Sequence, residues 1–368
     1  MPAFHDDQLE VLTNGFDGTA DVWRFAPRRL CVAGPETARE VLGNRLGTFV
    51  ETSDFFHTRH GVFGPRAAQQ DIGRTARVFL RQFLDSRRDE LPGLVRQRLA
   101  PSNTWPDAGN LLIRDHLRGA LLHEAVSPGL YVTIDQVINR AVLAGARDRR
   151  SAVSRLVFRR TAMRAIGTEI VARRPVGDPC DLLDVVVLGA GSGAAPRDLA
   201  EVYLPFSFAT VGSIGFALGW SVYLAGLHPG AHDEPGWIAR EALRLWPVAW
   251  LFAREPSRTH ELAGVTVGPR DQVAVCTYLA HRHPRYWDRP EEFVPDRWAE
   301  PAAANPAFLP FGFGPHSRPG SGLTLTLLAD LIRIITQDWR LSVILSGSGP
   351  HLGPALAPPW LRTLSPRS

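Results

Sequence analysis

The sequence contains no lysine, so all 41 of its basic residues are arginines. Codon bias in a GC-rich genome is the simplest cause, which makes this absence a property of the DNA rather than of the chemistry. With 37 acidic residues the formal charge is only +4. The sequence also lacks a zinc finger, an RNA-binding signature and an interleaved basic and aromatic patch. We therefore expect no nucleic-acid partner.

Cysteine is scarce as well: Cys31, Cys180 and Cys276 lie far apart and fit no metal-ligand spacing. Their odd number and wide separation indicate reduced thiols and a cytoplasmic location. The first residues lack the basic-then-apolar pattern of a signal peptide. Neither a Gly/Ser-rich linker nor an internal repeat divides the chain. We expect one domain that spans residues 1–368.

One long stretch, residues 204–227, carries no charge. About 20 apolar residues suffice to cross a bilayer. However, Pro205 and four glycines interrupt the stretch, and no basic cluster follows it. A fully buried central helix of a large domain explains it equally well, and we expect no association with a membrane.

The hydrophobic pattern predicts a chain that is mostly α with a small β part, an α+β class without βαβ alternation. Strands are predicted within 22–33, at 262–267 and at 272–275, and helices from Pro35 onward and at 74–90, 94–99, 149–174, 237–245 and 323–335. The arginine-rich helix 149–174 is typical of a solvated face, and a docking surface for an acidic partner is the alternative.

A series of motifs follows the uncharged stretch. Glu241 and Arg244 are three residues apart, on one face of a predicted helix, where they can pair. Alone this spacing is common. After it come Arg254, the strand-and-turn segment 261–268, Ala-His-Arg-His-Pro at 280–284, Phe-Val-Pro-Asp-Arg-Trp at 293–298 and Phe-Gly-Phe-Gly-Pro-His-Ser-Arg-Pro-Gly at 311–320.

This order and spacing resemble the C-terminal half of bacterial cytochromes P-450, and the resemblance extends more loosely upstream to Val22. It implies the cytochrome P-450 fold, shortened near the N-terminus. It also implies that Glu241, Arg244 and Arg297 form a buried charged triad with a structural role.

Within the resemblance, Phe311, Gly314 and Gly320 match the family's haem-binding loop, and Arg318 stands at the position of the cysteine that ligates iron. A guanidinium has five donors, has no acceptor and stays protonated, so it cannot replace a thiolate. We therefore expect no haem-thiolate chemistry and assign no catalytic residue.

Other family positions survive in part. The resemblance places Arg254, His316 and His57 where the family binds haem propionates through charge-assisted bonds. The family has an arginine four residues after this histidine, and Gly61 stands at that position here. These side chains are either inherited groups that now serve packing, or signs that haem still binds, with His316 as its ligand.

The uncharged helix departs from the family too. Alignment back from His228 sets Gly212 at the acid position and Ser213 at the alcohol position of the proton relay. Loss of the acid weakens that relay.

Family members without the cysteine look like auxiliary proteins of antibiotic and deoxysugar pathways, which activate a partner glycosyltransferase. The leading hypothesis is therefore a non-catalytic activator of a glycosyltransferase that needs no cofactor. The alternative is a haem-binding monooxygenase of the cytochrome P-450 type, or a degenerate homologue of one, since Arg and Cys codons can differ by one base. A third hypothesis, a haem-free enzyme in the vacated pocket, has no acid–base constellation to support it.

Overall fold

A computed structural model describes residues 8–51, 53, 56–99, 103–143, 152–173, 177–191, 193–230, 234–299, 305–318, 320–345, 349–353 and 355–363. Helices dominate these ranges. The α-helices are α1 (Gln8–Asn14), α2 (Pro35–Gly43), α3 (Arg66–Ser86), α4 (Leu91–Arg98), α5 (Asp107–Leu121), α6 (Pro128–Val142), α7 (Ala152–Ala172), α8 (Leu182–Ala190), α9 (Pro196–Leu227), α10 (Pro235–Leu245), α11 (Thr277–Ala280) and α12 (Ser321–Asp338). Short 3-10 helices lie at Arg88–Glu90, Pro295–Trp298 and Gly314–His316.

The strands are short and contribute little of the chain. They are β1 (Val22–Ala26), β2 (Arg29–Val32), β3 (His57–Thr58), β4 (Gly61–Val62), β5 (Asn103–Trp105), β6 (Leu251–Arg254), β7 (His260–Leu262), β8 (Val265–Val267), β9 (Gln272–Cys276), β10 (Val343–Leu345) and β11 (Leu361–Thr363). One sheet has the order β1-β2-β9-β6, in which only β2 and β9 run parallel. A second has the order β10-β11-β5, and β3-β4 and β7-β8 are hairpins. The prediction of a mostly helical chain with a small strand part is confirmed.

Proline marks several helix starts. Pro35, Pro196 and Pro235 each occupy the first turn of a helix, where the missing N–H costs no hydrogen bond. One predicted helix boundary is wrong for this reason. The sequence predicts that Pro92 interrupts the helix, but α4 begins at Leu91 and contains Pro92 in its first turn.

The predicted strand 262–267 is wrong in its continuity, because the structure places a tight hairpin inside it. Leu262 pairs with Val265 at the end of β7 and β8. Between them Ala263 and Gly264 both have positive φ, +46° and +78°. Two consecutive residues with positive φ form a two-residue turn, whose twist matches that of the two strands in a hairpin.

The uncharged stretch lies within α9, a helix of 32 residues that packs against α5, α6, α7, α8, α10 and α12. Among the described helices, α9 alone is long and apolar enough to cross a membrane, and 72% of its most apolar window is buried inside the protein. This burial agrees with the interpretation of a central core helix. The cytoplasmic location stays a prediction.

α9 and α5 approach each other closely. A Cβ placed on Gly215 of α9 would lie 2.1 Å from the side-chain oxygen of Asn110 and 2.9 Å from its Cα. A Cβ on Gly109 would lie 3.1 Å from the carbonyl oxygen of Gly215. Any side chain at Gly215 would therefore push the two helices apart, and this contact fixes one wall of the interior.

Candidate functional site

Glu241 and Arg244 of α10 are both fully buried, and the structure brings Arg297 to them. The carboxylate of Glu241 accepts hydrogen bonds from Arg244 Nε at 2.9 Å and Nη2 at 2.8 Å. It also accepts from Arg297 Nε at 3.1 Å, Trp298 Nε1 at 2.9 Å and the Val294 N–H at 3.0 Å. Five donors on one buried carboxylate offset much of the cost of removing its charge from water.

The guanidinium of Arg244 also holds the chain beyond α10. It donates to the carbonyl oxygens of His281 at 3.0 Å, Pro290 at 2.6 Å and Glu292 at 2.8 Å. The network therefore ties one helix to the irregular segment that leads towards residues 311–320. That its purpose is structural stays a prediction.

His281 extends the same connection. It is fully buried, its Nδ1 lies 3.0 Å from the carbonyl oxygen of Arg244, and its Nε2 accepts the N–H of Leu309 at 2.8 Å. This pattern requires a neutral ring with the proton on Nδ1. The pKa of His281 is lowered to about 3, mainly by burial. The nearby Arg244 and Arg282 charges act in the same direction, and hydrogen bonds with the backbone oppose them.

We expect the protein to lose stability as the pH falls below 6.5, the ordinary pKa of histidine. Below that pH the unfolded chain binds a proton at His281 that the folded chain excludes. The free energy of unfolding therefore falls by up to about 1.4 kcal/mol per pH unit because of this group. The slope of unfolding free energy between pH 6 and pH 4, roughly the range bounded by those pKa values, should be shallower in His281→Gln. The ring should also fail to titrate by NMR over the same range in the folded protein; a ring that titrates there would contradict the assignment.

The loop that precedes α12 has a backbone shape that its glycines allow. Gly312 and Gly314 have φ of +74° and +73°, in the left-handed region that residues other than glycine rarely adopt. A Cβ on Gly314 would also lie 2.9 Å from the Cα of Gly43 at the end of α2. The N–H of Arg318 donates to the carbonyl oxygen of Phe311 at 3.0 Å and closes the loop.

A cavity opens beside this loop, with about 940 Å³ of empty space when its open side is included. Helices α3, α9 and α12 form most of its wall, and α5, α10 and the loop complete it. The apolar lining residues are Ala76, Leu80, Leu84, Leu117, Phe206, Ala209, Ile214, Ala217, Leu243, Val248, Pro310, Phe311, Leu323 and Leu327.

Few polar groups face the cavity. The described lining includes two arginines, Arg77 of α3 and Arg318 of the loop, and the hydroxyls of Thr210, Ser213 and Thr324. No acidic residue and no Cys, His, Met or Tyr belongs to it. Arg77 is exposed and so lies at the open side, whereas Arg318 is half-buried. The cavity therefore suits a large apolar ligand that carries negative groups.

Two of the predicted propionate residues, Arg254 and His57, do not belong to the described lining. Arg254 is buried on β6 and donates to the carbonyl oxygen of Ala253 at 2.9 Å. His57 is exposed on β3. The hairpin that carries His57 is held to α9, because the N–H of Arg59 donates to the Glu201 carboxylate at 2.8 Å. The backbone of His316 lies in its 3-10 helix, and its side chain lies outside the described part.

The sequence reasoning missed Arg77. A signal was present: Ala76, Leu80 and Leu84 recur every four residues and predict one face of α3, and Arg77 is adjacent to that face. Of the relay positions, Ser213 lines the cavity, while Gly212 is buried in α9 outside the lining. Thr210, one turn earlier, also lines the cavity and donates to the carbonyl oxygen of Phe206 at 2.8 Å.

Solved structures with the same arrangement identify the architecture. A zebra fish cytochrome P-450 with progesterone superposes with a TM-score of 0.74, over 98% of this chain and 99% of that one, at 19% identity. A mutant of the cytochrome P-450 EryK with erythromycin B gives 0.73, over 99% and 98%, at 20% identity. The chain has the cytochrome P-450 fold. The cytochrome P-450 fold that the motif series predicts is confirmed.

Sequence comparison agrees over the C-terminal part. Residues 237–344 match the family model "Cytochrome P-450". Cyclooctatin synthase of Streptomyces melanosporofaciens is 28% identical over 199 residues, which is 46% of this chain and 43% of that protein. Cytochrome P-450 4V2 of Homo sapiens is 30% identical over 186 residues, 42% and 35% of the two chains. These matches span less than half the length of each relative.

The expectation that no cofactor binds is wrong. The family match and the whole-chain similarity to cytochromes P-450 point to haem, which this fold holds. The described residues fit the macrocycle, because the cavity is apolar and has Arg77 at its open side to meet an anionic propionate. They do not fit the iron, since no described lining side chain supplies a thiolate or imidazole. No step of oxygen activation follows from this site.

Proposed function

We propose that this chain is a haem-binding protein of the cytochrome P-450 type, a degenerate homologue of monooxygenases. In this proposal haem occupies the cavity between α3, α9 and α12, and Arg318 stands where the family's cysteine would be. The main support for this proposal is the cavity, a wide and mostly apolar space beside the loop 311–320 in a cytochrome P-450 fold.

Two kinds of interaction support binding of the macrocycle. Removing apolar surface from water contributes about 25 cal/mol per Å². On α9 and α12 the lining residues are apolar except for the hydroxyl-bearing Thr210, Ser213 and Thr324. The guanidinium of Arg77 favours an anionic carboxylate at the open side, by a small amount because Arg77 is exposed and water screens the pair. When bound, haem supplies an iron centre and an intense absorbance band; this chain supplies the apolar walls and the positive charge.

The relatives support the ancestry and the class of small molecule. Two proteins of Streptomyces melanosporofaciens in the similarity group are named cyclooctatin synthase and cyclooctat-9-en-7-ol 5-monooxygenase. An apolar small molecule of secondary metabolism is consistent with the hydrophobic lining of this cavity. The unmodified chain should show no oxygenase turnover, because the guanidinium of Arg318 cannot act as the iron ligand.

Filling the cavity tests the proposal. Ala209 of α9 lines the cavity and is only partly buried. Ala209→Trp should lower haem affinity at least tenfold (about 1.4 kcal/mol), because the indole takes space that the macrocycle needs. Haem is titrated into the purified full chain and followed by absorbance and tryptophan fluorescence.

The control for this titration is Val78→Trp, since Val78 lies on α3 outside the lining and is 53% exposed. It adds the same side chain without entering the cavity and should leave affinity unchanged. Equal affinity in both variants, or no saturable haem binding by the unmodified chain, would contradict the proposal.

The glycosyltransferase partner is a second candidate function, and one observation favours a docking role for α7. Its first half presents Leu156 and Val157, which are 58% and 57% exposed, beside the exposed Arg159, Arg160 and Arg164. Apolar groups next to arginines are typical of interface anchors.

If α7 docks on a glycosyltransferase, reversing the charge at Arg159, Arg160 and Arg164 should weaken co-purification and activation at least tenfold, since rim charges steer association. Thermal stability should stay unchanged, because the three side chains are exposed. Full activation by the triple variant would exclude α7 as the docking face. No effect of the unmodified chain on any candidate transferase would exclude the activator function.

A further inference from the structure

We propose that the ion pair between Arg88 and Asp330 holds α3 and α12 at the spacing that the ligand of the cavity needs. Arg88 is then a positioning residue, which acts on the ligand only through the two helices. The inference rests on the proposed function, because binding of haem is the measure of that spacing.

The ion pair lies just beyond two walls of the cavity. On α3 the last described lining residue is Leu84, and Arg88 follows four residues later, at the start of a 3-10 helix. On α12 the last described lining residue is Leu327, and Asp330 follows three residues later. Three or four residues make about one helical turn. The pair therefore joins the two walls about one turn beyond the cavity.

The carboxylate of Asp330 is bonded from both sides. Its Oδ2 accepts hydrogen bonds from Arg88 Nε at 3.1 Å and Nη2 at 2.8 Å. Its Oδ1 accepts from Arg333, which lies one turn further along α12. The side chain of Asp330 is 11% exposed and that of Arg88 is 56% exposed. The carboxylate is thus fixed on the wall formed by α12, and the guanidinium can be replaced without opening the core.

The wall formed by α3 needs such a contact because the helix ends there. α3 ends at Ser86, and the chain passes through Arg87 and a 3-10 helix into α4. Helix ends fray, and a contact from residue 88 to α12 limits that motion. It raises the fraction of molecules in which the walls stand at the spacing for binding, and the apparent affinity is proportional to that fraction.

The expected effect is modest, because Arg88 is more than half exposed. An exposed ion pair changes an equilibrium constant by no more than about fivefold. Loss of the pair should therefore weaken ligand binding by about three- to fivefold. An effect of this size needs a closely matched control.

Arg96 and Asp338 supply that control, since each lies eight residues after its counterpart in the first pair. Arg96 Nε donates to Asp338 Oδ2 at 2.7 Å, and the two side chains are 61% and 25% exposed. Arg96 lies on α4, and Asp338 is the last residue of α12, three turns beyond Leu327. Arg96→Gln removes the same charge and the same kind of ion pair far from the cavity.

The test is a titration of haem into the purified full chain, into Arg88→Gln and into Arg96→Gln, followed by tryptophan fluorescence. At low salt we expect Arg88→Gln to bind about three- to fivefold more weakly and Arg96→Gln to bind like the unmodified chain. At about 1 M salt, where screening acts within about 3 Å, Arg88→Gln should also bind like the unmodified chain. A loss that persists at high salt would come from packing of the side chain and would overturn the inference.

Asp330→Asn separates positioning from attraction between Arg88 and the carboxylates of haem. It removes the same ion pair but makes the protein more positive. We expect it to weaken haem binding as Arg88→Gln does, and the double variant to lose no more than either, because the same interaction is removed. Tighter binding by Asp330→Asn would show attraction and overturn the inference. Chemical unfolding checks that each titrated variant is folded.

Equal affinity of Arg88→Gln and the unmodified chain at low salt would contradict the inference and leave the proposed function intact. So would equal losses in Arg88→Gln and Arg96→Gln. No saturable haem binding by the unmodified chain would contradict the proposed function, and the inference with it.

Discussion

Arg318→Cys is expected to give a haem complex that, after reduction and addition of carbon monoxide, shows the red-shifted Soret band of thiolate ligation. The backbone at position 318 is held in the cavity wall, because Gly312 and Gly314 lie in the left-handed region and the Arg318 N–H donates to the carbonyl oxygen of Phe311. Haem affinity should rise by at least a hundredfold (about 2.7 kcal/mol), because the thiolate forms an iron–sulfur bond that a guanidinium cannot form. Absorbance titration measures both changes.

The control is Arg318→Ser, which removes the guanidinium without offering a thiolate and should leave the band absent. Oxygenase turnover of Arg318→Cys should stay low, since α9 has Gly212 and no acid to relay protons beside Ser213. A turnover rate like that of an ordinary monooxygenase would contradict this account of α9. It would also show that Arg318 alone separates this chain from activity.

Glu241→Ala is expected to lower the free energy of unfolding by about 3–5 kcal/mol, because it leaves the fully buried Arg244 without its carboxylate. Arg297 and Trp298 lose hydrogen bonds to the same group. Chemical unfolding measures the change, and haem binding should weaken only through the loss of folded protein.

The matched control is Glu292→Ala. Glu292 is 61% exposed in its side chain and pairs with Arg289 at 3.5 Å, and exposed pairs of this kind contribute about 0–1 kcal/mol. Its backbone carbonyl still accepts from Arg244 after the substitution. If both substitutions lowered the free energy of unfolding equally, burial of Glu241 would add nothing to its contribution to stability.

The motifs predicted backbone features better than they predicted side-chain positions. The spacing of Glu241 and Arg244 follows from helix geometry alone, and the Gly-rich pattern of 311–320 limits the loop to a few shapes. His57 could not be placed in the same way, because the contact that sets its hairpin, Arg59 to Glu201, joins residues 142 positions apart. No local pattern reports such a contact.

Arg77 shows the converse case. Its helix was recognisable, but the predicted start at residue 74 missed the first turns of α3, which begins at Arg66. More importantly, the cavity exists only where α3, α9 and α12 converge, so a residue's presence in the lining is a property of packing. The expectation that no cofactor binds came from one position, Arg318, and gave no weight to these apolar walls.

Cytochromes P-450 combine two properties: a cavity shaped for the haem macrocycle and a ligand for its iron. In the function proposed for this chain, the walls of α9 and α12 hold the macrocycle, and Arg318 stands in place of the iron ligand. The network around Glu241 and the hydrogen bonds of His281 join α10 to the segment that leads to the loop.

The most direct test is the absorbance spectrum of the unmodified full chain, saturated with haem, reduced and treated with carbon monoxide. We predict saturable 1:1 binding and a Soret band without the red shift of thiolate ligation. A thiolate-type band from the unmodified chain, or no binding of haem at any concentration below its aggregation, would contradict the central claim.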